Sequence, residues 1–184
     1  ATAKAVVKRT VSVSKDGVTV LDQVPVELSP GTITVVVGES GAGKTTLLRS
    51  LAGLEGDRVK CGPMECIYVQ QHPVLLTTSV AAEVMLPSKL FPNLPPVGKA
   101  YAALFKLDEL EHRGMEELSG GERQRAVLAR QLAFTPSFLL LDECTSNLGW
   151  LHVEAIEKEL MRLREGGACI VLVTHNIPQA HRIA

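Results

Sequence analysis

The chain has 184 residues, with 19 Lys+Arg against 20 Asp+Glu and a formal net charge of -1. That is the length of one domain with a real core, and its charge balance gives no global pull toward nucleic acid or an anionic membrane surface. Hydrophobic residues make up 46% and charged residues 21%, which excludes wholesale disorder, and no apolar run approaches the ~20 residues of a membrane span.

From the N-terminus, no long apolar stretch follows Ala1 to Arg9, so the segment does not read as a signal peptide. Ala5 to Ser14 alternates in part, Asp16-Gly17 marks a turn, and Val18 to Leu21 and Val24 to Leu28 read as two further strands, ended by Pro30-Gly31. Ile33 to Val37 is a continuous β-branched run, the pattern of a buried parallel strand. A glycine-rich loop leads into a helix over Thr45 to Ala52. Residues 53–66 read as a loop, Cys66 to Gln70 as a strand, and the proline-rich Pro87 to Pro96 as an irregular connector. Val97 to Phe105 and Glu122 to Phe134 have helical character. Ser137 to Leu141 and Cys169 to Val173 are buried strands. Between them Val153, Ile156, Leu160 and Leu163 share one face of a helix stopped near Gly166. Buried strands alternating with helices give an α/β sheet, largely parallel in its centre. The four cysteines (Cys61, Cys66, Cys144, Cys169) have neither the number nor the spacing of a disulfide scaffold or a metal knuckle.

Three stretches carry chemistry. Gly38-Glu39-Ser40-Gly41-Ala42-Gly43-Lys44-Thr45 fits G-x-x-x-x-G-K-[ST] in full and lies between a predicted strand and a predicted helix. Glycines let successive amides curl around a polyphosphate, and the helix start adds its positive dipole end. Lys44 supplies a compact cation and the Thr45 hydroxyl a Mg²⁺ ligand, with Thr46 beside it in the cradle. Next, Phe138 to Leu141 ends in Asp142-Glu143. A core strand has no use for charge, so the pair points to the ligand crevice: Asp142 toward Mg²⁺, Glu143 as general base on a water. In isolation a solvated acid pair would read the same; the cradle upstream tips the balance. Third, Leu118-Ser119-Gly120-Gly121-Glu122-Arg123-Gln124-Arg125 is a second helix start with a serine and two glycines, hence a second anion site.

At this third motif the chain resembles the ATP-binding cassette (ABC) ATPases, whose hallmark is an LSGG-x-Q stretch. The likeness runs from about Val11 to the C-terminus. It implies a P-loop NTPase fold: a mainly parallel central sheet, an N-terminal antiparallel β subdomain and a small α-helical subdomain at about 77–117, within one ATP-binding domain over 1–184. It implies ATP and Mg²⁺ as cofactors, ATP hydrolysis coupled to transmembrane transport, and a homodimer or heterodimer of cassettes packed head to tail. There the cradle of one grips the nucleotide and Ser119-Gly120-Gly121 of the other caps it. A transmembrane permease subunit would hold the chain on the cytoplasmic face of a membrane, with no nucleic acid expected. Ile67-Tyr68-Val69-Gln70-Gln71 matches the family's Y-V-x-Q strand and gives Gln71, or one register earlier Gln70, as the glutamine that senses Mg²⁺ and water. Val173-Thr174-His175 matches the switch histidine. Lys44, Gln71, Glu143 and His175 are the expected catalytic set.

Four departures stand out. Gly149 replaces the aspartate that couples the two sites of the family's dimer. No aromatic precedes the cradle, leaving Lys15, Asp16 and Val20 near the base, which predicts weak discrimination between ATP and GTP. The stretch from Gly53 to Ile67 is short for the family. The chain stops at Ala184, soon after His175, so the family's last strands and helix are expected beyond it. The competing readings are a soluble cassette ATPase of DNA repair or translation, and a non-hydrolysing nucleotide-dependent regulator. Repair members need long heptad arms that the stretch from Lys44 to Leu118 lacks, translation members carry two cassettes, and Glu143 speaks against the regulator.

Overall fold

The computed structural model describes residues 7–55, 66–72 and 74–184. Strand β1 (Val7–Lys15) and strand β2 (Val18–Leu28) form an antiparallel pair around the Asp16-Gly17 turn. The two short strands expected within 18–28 are one strand. Gln23 takes a left-handed φ of 47° as the register shifts between Val11 and Val13, and its amide donates to Ser12 Oγ (3.0 Å). The bulge absorbs the break in alternation without ending the strand.

The four apolar strands β3 (Ile33–Val36), β4 (Cys66–Val69), β5 (Phe138–Asp142) and β6 (Cys169–Val173) form a parallel sheet in the order β3-β6-β5-β4. Alternation sorts their side chains between two cores. Leu140, Val171, Val173 and Phe138 face helix α1 (Lys44–Leu51) and the β1–β2 pair. Leu139, Leu141, Ile170 and Leu172 face the remaining helices. Leu139, Leu140 and Leu141 are each 0% exposed, so shortening any of them to alanine costs ~2–5 kcal/mol. The register places Val36 and Asp142 both beside Val173, and Val69 beside Leu141. Parallel strands in step deliver their four following loops to one edge, which is where an open α/β sheet binds its ligand.

Helices α2 (Val80–Leu90) and α3 (Gly98–Leu104), with two 3₁₀ turns at Asp108–Leu110 and Met115–Glu117, precede helix α4 (Gly120–Leu132). Helix α2 runs through Pro87, where the sequence suggested an irregular connector. Ser79 caps it by accepting from the Ala82 amide, its turn closes past the proline through Phe91 N–H to Pro87 C=O (2.9 Å), and Pro87 is buried. Helix α5 (Trp150–Glu165) starts three residues earlier than its apolar face suggested, at Trp150, with Gly149 as its N-cap. Helix α6 (Ile177–Ile183), not expected from the sequence, is capped by Asn176, whose Oδ1 accepts from the Gln179 amide. The bidentate Arg182–Glu157 pair (3.0 and 2.7 Å) fastens it to α5. The shortened stretch noted at 53–67 lies mostly outside the described residues.

Candidate functional site

The loop between β3 and α1 turns through left-handed glycines. Gly43 has φ 85°, and a Cβ there would stand 2.9 Å from Leu21 Cδ2 of β2. Glycine is therefore demanded twice, by the backbone and by the packing against the outer hairpin. Lys44 is the first residue of α1 and nearly buried. Its Nζ donates to the carbonyls of Gly38 (2.9 Å) and Glu39 (2.7 Å), so the cation curls over the loop that it follows.

The other three strand ends meet this loop. A cavity of ≈ 270 Å³ is lined by Val20, Ser40, Gly41, Gly43, Lys44, Thr45, Thr46, Gln71, Glu143 and His175. Glu143 sits just past β5 with φ 50°, a strained turn for a non-glycine that is held by its amide donating to Val173 C=O (3.0 Å). Its carboxylate accepts from Gln71 Nε2 (3.2 Å) and His175 Nε2 (2.6 Å). Gln71 lines the cavity, and Gln70 is exposed outside it. A wider cavity of ≈ 620 Å³, walled by the 145–150 loop and the start of α6, shares Glu143 and His175.

Asp142, the last residue of β5, precedes Glu143 of the cavity wall and is 1% exposed, outside the lining itself. Tyr68 OH donates to its Oδ2 (3.1 Å), and its Oδ1 is buried with no hydrogen-bond partner. A buried carboxylate oxygen left bare is costly unless a cation or water completes it. This orphan, with Thr45 and Gln71 at the cavity wall, fits a Mg²⁺ ion. Among the described residues no three His, Cys, Asp or Glu cluster as a cage. A hard ion sharing one carboxylate with phosphates and water matches that sparse donor set. Burial, then the charge of Asp142 and the donation to it, push the Tyr68 phenol far above its usual range.

The signature motif stands apart from this cavity. Ser119 caps α4: its Oγ accepts from the Glu122 amide (3.3 Å), while Glu122 Oε2 accepts from the Ser119 amide (2.8 Å) and hydroxyl (2.7 Å). Gly121 leaves room for the next loop, since a Cβ there would meet Asn147 C=O at 3.2 Å. Buried Gln124 reaches the Glu143 carbonyl from the same helix (3.4 Å). The structure thus gathers the cradle, Gln71, Glu143 and His175 around one cavity, with Asp142 just outside its lining, and leaves Ser119, Gly120 and Gly121 away from it.

Near the base end, Val20 lines the cavity, while Lys15 is engaged with Glu55 (3.0 Å). Two features went unread in the sequence. Tyr68 was noted only as part of a motif, and its reach to Asp142 needs the β4–β5 register. Glu83 is not singled out by the sequence; it is 0% exposed and accepts from the Leu76 and Thr77 amides, the Thr77 hydroxyl and Arg130 Nη1. An acid three residues past the helix start, below the apolar face, was the available signal.

Comparison with known proteins converges on one family. The family described as ABC transporter matches residues 21–146. The chain is 36% identical to the tungstate uptake system ATP-binding protein TupC of Peptoclostridium acidaminophilum, over 92% of this chain and 86% of that protein. It is 31% identical to the phosphate import ATP-binding protein PstB 1 of Nitrosococcus oceani, over 96% and 74%. It is 36% identical to the zinc import ATP-binding protein ZnuC of Halorhodospira halophila over 91% of this chain, which spans only 66% of that protein. A solved structure described as the ATP-binding subunit of an ABC transporter superposes with a TM-score of 0.82 at 22% identity, covering 96% of this chain and 82% of that one, a likeness of fold.

Proposed function

The chain belongs to the ABC transporter family as an ATP-binding subunit, and from that premise we propose how its residues hydrolyse ATP and power a transporter. The observation that carries the reading is the single cavity in which Lys44, Thr45, Gln71, Glu143 and His175 converge. The loop amides from Gly38 to Thr46 bind the phosphates, and Lys44 leaves the Gly38 and Glu39 carbonyls to meet the β- and γ-phosphates. Glu143 takes the proton of the attacking water as general base, oriented by Gln71 and His175, which already hold its two oxygens. His175, on the wall of that cavity, is the residue that would contact the γ-phosphate. Thr45, Gln71 and Asp142 are the residues that would hold Mg²⁺, which when bound neutralises phosphate charge as the bond breaks.

Ser119 and Gly120, exposed at the start of α4, and the half-buried Gly121 cap the nucleotide of a second cassette in a head-to-tail dimer. Gln124 of that helix donates to the Glu143 carbonyl (3.4 Å), a direct link between the capping helix and the loop that carries the general base. The partner that uses the motion is a permease, and the names of the relatives favour uptake. No helix among the described residues is long and apolar enough to cross a membrane, which agrees with peripheral attachment through that permease on the cytoplasmic face. None of the relatives named above is a repair or translation protein.

The test is phosphate release from ATP by the purified chain, alone and with Glu143→Gln. Turnover in the first, and turnover slowed by ~10²–10⁴-fold with nucleotide binding retained in the second, supports the reading. Equal turnover in both would remove Glu143 from its role.

A further inference from the structure

Asp142 ends the most deeply buried strand of the sheet with one carboxylate oxygen engaged and the other bare. The engaged oxygen is reached from the neighbouring strand. β4 pairs with β5 in parallel with Tyr68 beside Leu140. Side chains repeat on one face every second residue, so Tyr68, Leu140 and Asp142 share the face toward α1. Asp142 lies two residues further along than the partner of Tyr68, a rise of ~6.6 Å. A phenol is long enough to lie along the strand and place its hydroxyl at that height, with the ring packed on the α1-side core.

We propose that Tyr68 is a positioning residue for the metal of the ATP complex: by donating to Oδ2 of Asp142 it fixes the carboxylate plane so that Oδ1 faces the ion or its water. The inference rests on the reading of Asp142 given above. Carboxylate χ2 is a broad, two-fold torsion, so an Asp142 without this tether would have no preferred plane. The tether also satisfies one oxygen of a buried anion while leaving the second for a cation, the division that a metal ligand requires. Arg49 of α1 is turned to Glu55 (2.5 Å), and among the described residues the hydrogen bond to the Asp142 carboxylate is that of Tyr68.

The experiment is Tyr68→Phe, which keeps the ring and removes the donor. Binding of a fluorescent, non-hydrolysable ATP analogue is titrated in Mg²⁺ and in EDTA, and the ratio of the two affinities reads the contribution of the metal. The Mg²⁺ concentration for half-maximal ATP hydrolysis is the second readout. The expected result is metal-free affinity within twofold of wild type, a Mg²⁺-dependent gain reduced ~10–100-fold, and a half-maximal Mg²⁺ raised to match. An unchanged Mg²⁺ gain would overturn the proposal. So would an equal loss of affinity with and without metal, which would make Tyr68 a packing residue only. Tyr68→Met carries the same expectations should the phenylalanine variant be insoluble. A wild-type chain that gained nothing from Mg²⁺ would instead overturn the metal reading of Asp142, and is told apart by needing no variant.

Discussion

The start of α1 has no side-chain cap and no acid in its first turn, whereas the start of α4 has both. Each is a helix N-terminus with glycines, and each carries unspent amide donors in principle. At α1 the chain leaves them open and brings only a lysine, folded back on Gly38 and Glu39. At α4 the Glu122 carboxylate has taken the Ser119 amide and hydroxyl, and these bonds hold its pKa below the usual carboxylate range. An end built to receive a polyphosphate keeps its own anions away; an end that closes over a nucleotide brought by another molecule must stay ordered while it waits. At the second, an incoming phosphate either displaces Glu122 or settles on the amides of Gly120 and Gly121.

Substitutions at the open end should have the largest effects. Lys44→Ala should abolish nucleotide binding in a fluorescence titration, and retained affinity would break the contrast at its root. Glu143→Gln should slow turnover by ~10²–10⁴-fold while nucleotide binding persists and ATP drives a dimer visible by size-exclusion chromatography. At the closed helix the first effect is on stability. Glu83→Gln leaves Arg130 without its buried countercharge and should cost ~3–5 kcal/mol in urea unfolding. Glu122→Gln tests the cap itself. A lowered folded pKa means stability present above the unfolded carboxylate value near 4.5 and lost as pH falls through the folded one. The melting-temperature gap between wild type and this variant should therefore shrink on acidification below that value. A gap independent of pH would show that the capping box is not ionic. The smallest effect belongs to Gly149→Asp. Gly149 is the N-cap of α5 with open space around its Cα, so the acid should fit, add a few tenths of a kcal/mol, and raise the Hill coefficient of hydrolysis.

Much of this was legible in the sequence because it is local. The cradle and the signature are runs of adjacent residues whose chemistry is written by their neighbours; the acid pair is read with the help of the cradle upstream, and His175 through the family resemblance. The four buried strands are apolar runs, and their parallel pairing follows from the helices between them. What the sequence hid depends on distance or on exceptions. Tyr68 and Asp142 are 74 positions apart, Glu83 and Arg130 47 apart; their meeting is a product of register and helix packing. Pro87 misled because a proline in the later turns of a well-capped, buried helix costs less than the contacts it joins. Gln23 takes a left-handed turn with no glycine to announce it. Helix α6 did carry a signal, Asn176 as cap with Pro178 in the first turn, the pattern of a helix start.

Glu83 has one further consequence. Its carboxylate, cut off from solvent, is held by amides and a hydroxyl at 76–77 and by Arg130, which also donates to the Val74 carbonyl (3.1 Å). The segment just after Gln71 and the far end of the helix that begins at Ser119 are thereby bolted to one anchor. Pulling either away would strand a charge in oil, so displacing the 74–77 segment without the Arg130 end of α4 is costly.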